Sequence, residues 1–235
     1  MEYDDLGRPV AVTDKESSVT TYEYDALNRL VSITDATGAT VKYSYDLRGN
    51  MLSLEDGEGN LTQFEYDKNN RLVKEIRPMG QETSYVYDGR GSLTEKIDAK
   101  NQKTVYTYND ADRLAQVQYY ESSDWDNAVK TVLFTYDSLG NLLTYDDGVT
   151  SGTYTYDELY RKTNAAMDYG LFAKEFSYSY YKNGLKESYT GPDGVTYTYT
   201  YDNANQWVSM DIPGQGAITN NVFNWTRPIL GDVPD

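Results

Sequence analysis

The sequence contains no cysteine and no histidine. Without thiols there is no disulfide and no thiolate nucleophile, and without either residue type a zinc site of the usual kind and a Ser-His-Asp triad are excluded. Lack of cysteine also suits a protein that is unfolded, exported and refolded with no thiol chemistry. Positive charge is scarce: 21 Lys and Arg stand against 37 Asp and Glu, a net charge of −16. Such a field repels phosphate backbones and anionic lipid, which argues against nucleic-acid and membrane-surface partners and favours solubility. No apolar run approaches the ~18 residues of a membrane span. Long 3.6-period stripes are missing too, so no segment competes as a helix.

The opening Met1-Glu2-Tyr3-Asp4 has no signal-peptide features and enters directly at a motif that recurs along the chain. The expectation is a piece of a longer protein with an initiator Met added, secreted or displayed at a cell surface, its export signal encoded elsewhere.

What the chain does have is tyrosine, 25 residues of it, and a repeat. "YEYDALNRL" at 22–30 returns as "YSYDLRGNM" and again as "FEYDKNNRL". The tyrosine before the turn falls at Tyr3, Tyr24, Tyr45, Tyr66, Tyr87, Tyr108, Tyr136, Tyr156, Tyr180 and Tyr201. The first five intervals are 21 residues, and the rest are 28, 20, 24 and 21. Two residues earlier stands another aromatic (Tyr22, Tyr43, Phe64, Tyr85, Tyr106, Phe134, Tyr154, Tyr178, Tyr199), and the residues between are mostly polar. This period-two alternation predicts one strand per copy with one aromatic face.

The residue after the tyrosine is Asp4, Asp25, Asp46, Asp67, Asp88, Asn109, Asp137, Asp157 or Asp202. A short polar side chain there can accept backbone amides two residues ahead and close a turn. Four residues after the tyrosine stands Gly7, Asn28, Gly49, Asn70, Gly91, Asp112, Gly140, Gly184 or Asn205, types that tolerate a left-handed backbone. Tyr160 breaks this rule in the eighth copy, where a distorted turn is expected, and Tyr181 replaces the Asp in the ninth. Leu30, Leu72, Leu93, Leu114 and Leu142 open return strands, which end in Asp/Gly/Pro punctuation such as "TDATG" and "EDGEGN". Each unit therefore reads strand, turn, strand, turn. Roughly 20 strands at ~4.8 Å make a ribbon of about 95 Å, which twist curls or spirals. The predicted fold is all-β: tandem ~21-residue hairpin repeats in a curled antiparallel ribbon, a partial shell. Residues 1–211 carry about ten copies, and 212–235 are assigned to a degenerate eleventh copy, with Phe223 and Trp225 in its aromatic slots, or to a capping strand and tail.

The unit Y-x-Y-D-x-x-G/N-R-L, as in "YEYDALNRL", "FEYDKNNRL" and "YTYNDADRL", resembles the YD repeat of the Rhs family over residues 1–211. That family includes bacterial Rhs and wall-associated polymorphic toxins, the C components of insecticidal Tc toxins, and the YD shell of teneurins. The resemblance implies a ribbon that spirals into a hollow shell, enclosing a toxic C-terminal domain in bacterial members. Those members end their core near a self-cleavage motif of D-P-x-G-L type. Asp232-Val233-Pro234-Asp235 departs from it, so no protease residues are assigned.

Catalytic residues, metal ligands and cofactors are not assigned. "DGEGN" at 56–60 lacks the helices and the sixth-position Gly of a calcium loop. Paired acids carry no signal among 37, and an Asp copied at every turn serves the turn. Tyr24, Asp25, Tyr45, Asp46, Tyr66, Asp67, Tyr87, Asp88, Tyr108, Tyr136, Asp137, Tyr156, Asp157, Tyr201 and Asp202 are read as structural residues that define the repeat. The longest interval holds "YYESSDWDNAVKT" at 119–131, an extended hairpin loop. Tyr119, Tyr120 and Trp125 there are the candidate ligand contacts, for a cell-wall or cell-surface glycan. The leading expectation is a non-catalytic structural segment, a shell or stalk that works with the remaining parts of a longer chain, including a C-terminal toxin domain. The alternative is a carbohydrate-binding adhesion module. Unpaired terminal strands also predict some self-association through edges.

Overall fold

The computed structural model describes residues 1–219, so the possible eleventh copy at 223–226 lies outside the described residues. Those residues form strands and turns only, 21 strands from β1 (Glu2–Tyr3) to β21 (Gly216–Thr219). They fall into two compact units, Met1–Thr131 and the residues from Val132 on. Within each unit every strand pairs antiparallel with its neighbours in sequence, as in β3 (Val19–Tyr24), β4 (Leu30–Thr34) and β5 (Thr40–Tyr45). This is the expected ribbon of hairpins in both units.

One regular feature was not read from the sequence. In the β3–β4 hairpin Tyr22 faces Ile33 and Glu23 faces Ser32, but Tyr24 faces Leu30, so Val31 is an extra residue. The same shift precedes Tyr45, Tyr66, Tyr108, Tyr136, Tyr156, Tyr180 and Tyr201. A β-bulge of this kind bends its strand and raises the local right-handed twist. It also accounts for two consecutive apolar residues in copies such as Leu30-Val31 and Leu72-Val73, where strict alternation would allow one. The joints between copies carry no bulge: Ser32, Ile33 and Thr34 face Lys42, Val41 and Thr40 in register.

The two faces differ in chemistry. Tyr22, Ile33, Val41, Tyr43 and Leu54 form one continuous row across four strands. The opposite face is polar, with hydroxyl pairs Thr34–Thr40 at 2.9 Å and Thr200–Ser209 at 2.7 Å, and ion pairs Lys42–Glu55 at 3.0 Å and Lys74–Glu82 at 2.8 Å. Among the described residues the buried apolar side chains are Val117 and Ala165, and none is fully enclosed. The sheet is a single layer, so its stability rests on cross-strand pairs and on the turns rather than on a filled core.

Candidate functional site

The densest chemistry lies at the turns that follow each tyrosine. Asp25 Oδ1 accepts the amides of Leu27 at 2.8 Å and Arg29 at 3.0 Å. Asp4, Asp67, Asp157 and Asp202 accept the corresponding amides two and four residues ahead at 2.8–3.0 Å. Asp46, Asp88, Asn109 and Asp137 do the same. The main chain closes beneath, with the Asn28 amide on the Asp25 carbonyl at 3.0 Å. All of the expected left-handed positions have positive φ, from 57° at Asp112 to 103° at Gly140. The turns that end return strands use the same device: Asp35 Oδ1 accepts Thr37 and Ala39, and Gly38 has φ 89°.

Tyr160 corrects one expectation. Its turn is not distorted: φ is 61°, the Tyr160 amide reaches the Asp157 carbonyl at 2.9 Å, and the Asp157 backbone amide donates to Arg161 O at 3.0 Å. The carboxylate of Asp157 fixes the geometry, and the tyrosine adopts a backbone its side chain disfavours. In the ninth copy the turn forms without a carboxylate, with the Tyr181 amide on Leu185 O at 2.9 Å, and the Tyr181 hydroxyl donates to Tyr199 O.

The arginine of the motif explains how copies hold one another. Arg29 Nε donates to Asp25 Oδ2 at 2.7 Å, and Nη1 reaches forward to Asp46 O at 2.6 Å. Its guanidinium carbon lies 4.8 Å from the Tyr45 ring centroid, one copy ahead. Arg8 over Tyr24, Arg71 over Tyr87 and Arg161 over Tyr180 repeat this at 4.5–4.6 Å. The covered tyrosine answers: Tyr24 hydroxyl donates to Pro9 O, Tyr87 to Leu72 O and Tyr180 to Lys162 O, at 2.8–3.0 Å. Tyr108 and Tyr156 make the same bond back to Leu93 O and Leu142 O. These five tyrosines are thus tied to the return strand of the preceding copy, and Tyr24, Tyr87 and Tyr180 sit between a cation and a carbonyl. Two of the copies lacking the arginine carry Asn50 and Asn141 instead, whose side-chain amides donate to the turn carboxylate at 2.7 Å. The sequence signal was present: Arg8, Arg29, Arg71, Arg113 and Arg161 all stand five residues after the motif tyrosine.

These contacts shift the titration of the groups involved. Asp25 is held below the usual carboxylate range by the Arg29 amide and then its guanidinium. Asp67 is held low first by the Arg71 guanidinium. Tyr66 and Tyr108 are raised by burial, with Asp46 and Asp88 adding to the effect. Such shifts serve turns repeated along the chain. Among the described residues no group of three or more Asp and Glu is placed to hold a metal ion. Asp56 of "DGEGN" accepts Glu58 and Asn60 amides at 2.9 Å, the bonds of a turn.

Tyr119, Tyr120 and Trp125 do not form one surface. Tyr119 and Tyr120 are adjacent on β12 (Leu114–Tyr120), so their side chains leave opposite faces. Trp125 joins Tyr120 through Lys103, whose Nζ lies 4.4 Å from the Tyr120 ring centroid and 5.2 Å from that of Trp125. Lys103 also donates to Trp125 O at 3.0 Å, and the indole N–H donates to Asn101 O at 3.2 Å. Trp125 remains 37% exposed, yet its polar atoms are used within the chain. Tyr119 is 41% exposed on the other side. The exposed aromatic pair Tyr169–Phe172, stacked at 4.9 Å on a tight turn, was not anticipated; only its position at the end of a return strand marks it.

The RHS Repeat family model matches residues 3–40, 24–61, 45–82, 66–100 and 87–119, overlapping matches that advance by 21 residues. Among solved structures, the crystal structure of TcdB2-TccC3-TEV superposes with a TM-score of 0.66 at 17% identity, over 89% of this chain and 12% of that one. The Tc holotoxin pore of Photorhabdus luminescens, carrying a TccC3 mutation, aligns over 92% of this chain and 15% of its own at 17% identity, with a TM-score of 0.48. This chain therefore spans a small fraction of the length of those proteins. No curated protein matches the sequence. The 21-residue period, the Tyr-Asp turns and the family matches agree, and the chain belongs to the RHS-repeat family.

Proposed function

We propose that this chain is a non-catalytic wall segment of a longer bacterial RHS-repeat protein, secreted or surface-displayed, that encloses or presents a toxin. The observation that carries the reading is the tie between copies. The conspicuous polar side chains are consumed in holding neighbours: Asp25 and Arg29 to one another, Arg29 to Tyr45, Tyr24 to Pro9. A single-layer sheet made this way is a wall material. The fold shared with the TcdB2-TccC3 structure supports placing such a wall in a toxin-type assembly.

The adhesion reading has one supporting observation, the exposure of Trp125. Screening the purified chain and Trp125→Ala against wall polysaccharides and a glycan array, with product release monitored, separates the readings. The wall reading predicts neither saturable binding nor turnover. Dose-dependent binding lost in Trp125→Ala, or product release, overturns it.

A further inference from the structure

A cavity of about 250 Å³ opens between β18 (Lys186–Thr190), β19 (Thr196–Tyr201) and β20 (Trp207–Ile212). It is lined by Tyr189, Pro192, Asp193, Tyr197, Tyr199 and Met210. Tyr189 and Tyr197 are a cross-strand pair, their rings 5.9 Å apart and 27° from parallel.

Tyrosine rings in this molecule habitually carry the chain's own cations. In the same unit Arg161 lies over Tyr180, Lys162 over Tyr154, and Lys186 over both Tyr178 and Tyr199, the last of which lines the cavity. Tyr189 and Tyr197 meet other aromatic rings but, among the described residues, no cation. Among the described residues their hydroxyls likewise lack the bond to a strand carbonyl that Tyr24, Tyr87 and Tyr180 make.

A carboxylate stands beside these bare rings for an identifiable reason. The turn 191–195 begins with Gly191 where other return strands end in Asp14, Asp35, Asp56 or Asp98. A Cβ on Gly191 would lie 2.9 Å from Asp193 Oδ1 and 3.6 Å from the Tyr189 hydroxyl. The missing side chain lets Asp193 fold back toward the tyrosines. Asp193 Oδ1 accepts the Val195 amide at 3.1 Å, and no bond from Oδ2 is made among the described residues. Uncovered electron-rich rings, a polarisable thioether and a carboxylate with a free oxygen are the chemistry that takes an organic cation. The net charge of −16 draws such ions in.

We propose that the Tyr189–Tyr197–Asp193 cavity binds an alkylammonium group. The structure favours a quaternary ion over a metal cation, because the walls are rings and a thioether rather than several oxygens. The site is independent of the wall reading and lies within one unit.

The test uses the full chain and follows tyrosine-ring NMR signals at constant ionic strength. Tetramethylammonium should perturb Tyr189 and Tyr197 saturably, with a Kd on the order of millimolar. Choline should bind at least about tenfold more tightly than its uncharged isostere dimethylbutanol. Asp193→Asn should weaken choline about fivefold, and Gly191→Ala, whose methyl displaces the carboxylate, should weaken it with an unchanged circular dichroism spectrum. A peptide carrying one trimethylated lysine, run beside choline, identifies a side-chain or a free ammonium as the better ligand, and tight binding of either supports the site. Equal binding of choline and the isostere overturns the proposal. So does unsaturable binding, or parental affinity in both variants.

Discussion

The two units are built from one motif and use it differently. In Met1–Thr131 the tyrosines recur every 21 residues, and three arginines, Arg8, Arg29 and Arg71, grip the tyrosine of the next copy. From Val132 on, the spacing loosens to 20, 24 and 21, and Arg161 makes this grip on Tyr180, the ninth-copy tyrosine. There Lys162 and Lys186 occupy slots held elsewhere by leucine and lie on tyrosine rings, and rings stack on rings from Phe176 to Tyr197. A strict period preserves one cross-copy contact. A relaxed period lets neighbouring aromatics and lysines supply the adhesion.

The largest expected effect breaks the period of the regular unit. Excising residues 45–65 removes one whole copy, so Arg29 should meet Tyr66 and the chain should keep its circular dichroism spectrum and cooperative unfolding. Excising ten residues, 45–54, breaks the register and should abolish cooperative unfolding. Equal tolerance of both deletions would show that the period carries no structural information.

A middle-sized effect compares the left-handed turn positions. Tyr160 carries φ 61° where the first unit uses Gly, Asn or Asp. Tyr160→Gly should stabilise by roughly 1 kcal/mol, the ~1–2 kcal/mol left-handed cost being offset in part by the greater freedom of unfolded glycine. The reverse exchange, Gly49→Tyr at φ 94°, should destabilise by at least about 1 kcal/mol. Urea midpoints of both variants decide it, and like signs would contradict the account.

Acid should act on the units unequally, and this is the smallest effect. Among the described residues, Asp4, Asp25, Asp35, Asp46, Asp56, Asp67, Asp88 and Asp124 are held below the usual carboxylate range in the first unit, against Asp137 and Asp157 in the second. A carboxylate with a lowered folded pKa stabilises above its unfolded value, about 3.9, and that stability is lost as pH falls through the folded value. Stability should therefore fall below about pH 4, and hydrogen exchange should rise first in residues 1–131. Earlier exchange in the second unit would remove this difference.

Much of the hairpin plan was legible because it is local. Alternation marks the strands, and an Asp three residues before a Gly or Asn marks the turn. Tyr160 was misread because side-chain preference was weighed above the carboxylate of Asp157, which closes the turn whatever residue stands there. The bulge at Val31 was missed because alternation alone cannot show two residues facing one. The grip of Arg8 on Tyr24 spans 16 residues, and its only trace is a fixed offset repeated in several copies. Tyr119, Tyr120 and Trp125 were grouped by sequence proximity, but adjacent strand residues leave opposite faces, and Lys103 claims two of the three rings. The Tyr189–Tyr197 cavity depends on one Gly in place of one Asp, which in sequence reads as another turn.

Copies that carry the motif arginine are held to their neighbours through arginine and tyrosine. A double-mutant cycle of Arg71→Met and Tyr87→Leu, read by equilibrium unfolding, tests it most directly. The Arg71 guanidinium lies 4.6 Å from the Tyr87 ring centroid and Nη1 bonds Asp88 O at 3.2 Å. The account predicts a coupling of about 1 kcal/mol between the two substitutions. Strict additivity, with each change costing the same whether or not the other is present, would contradict it.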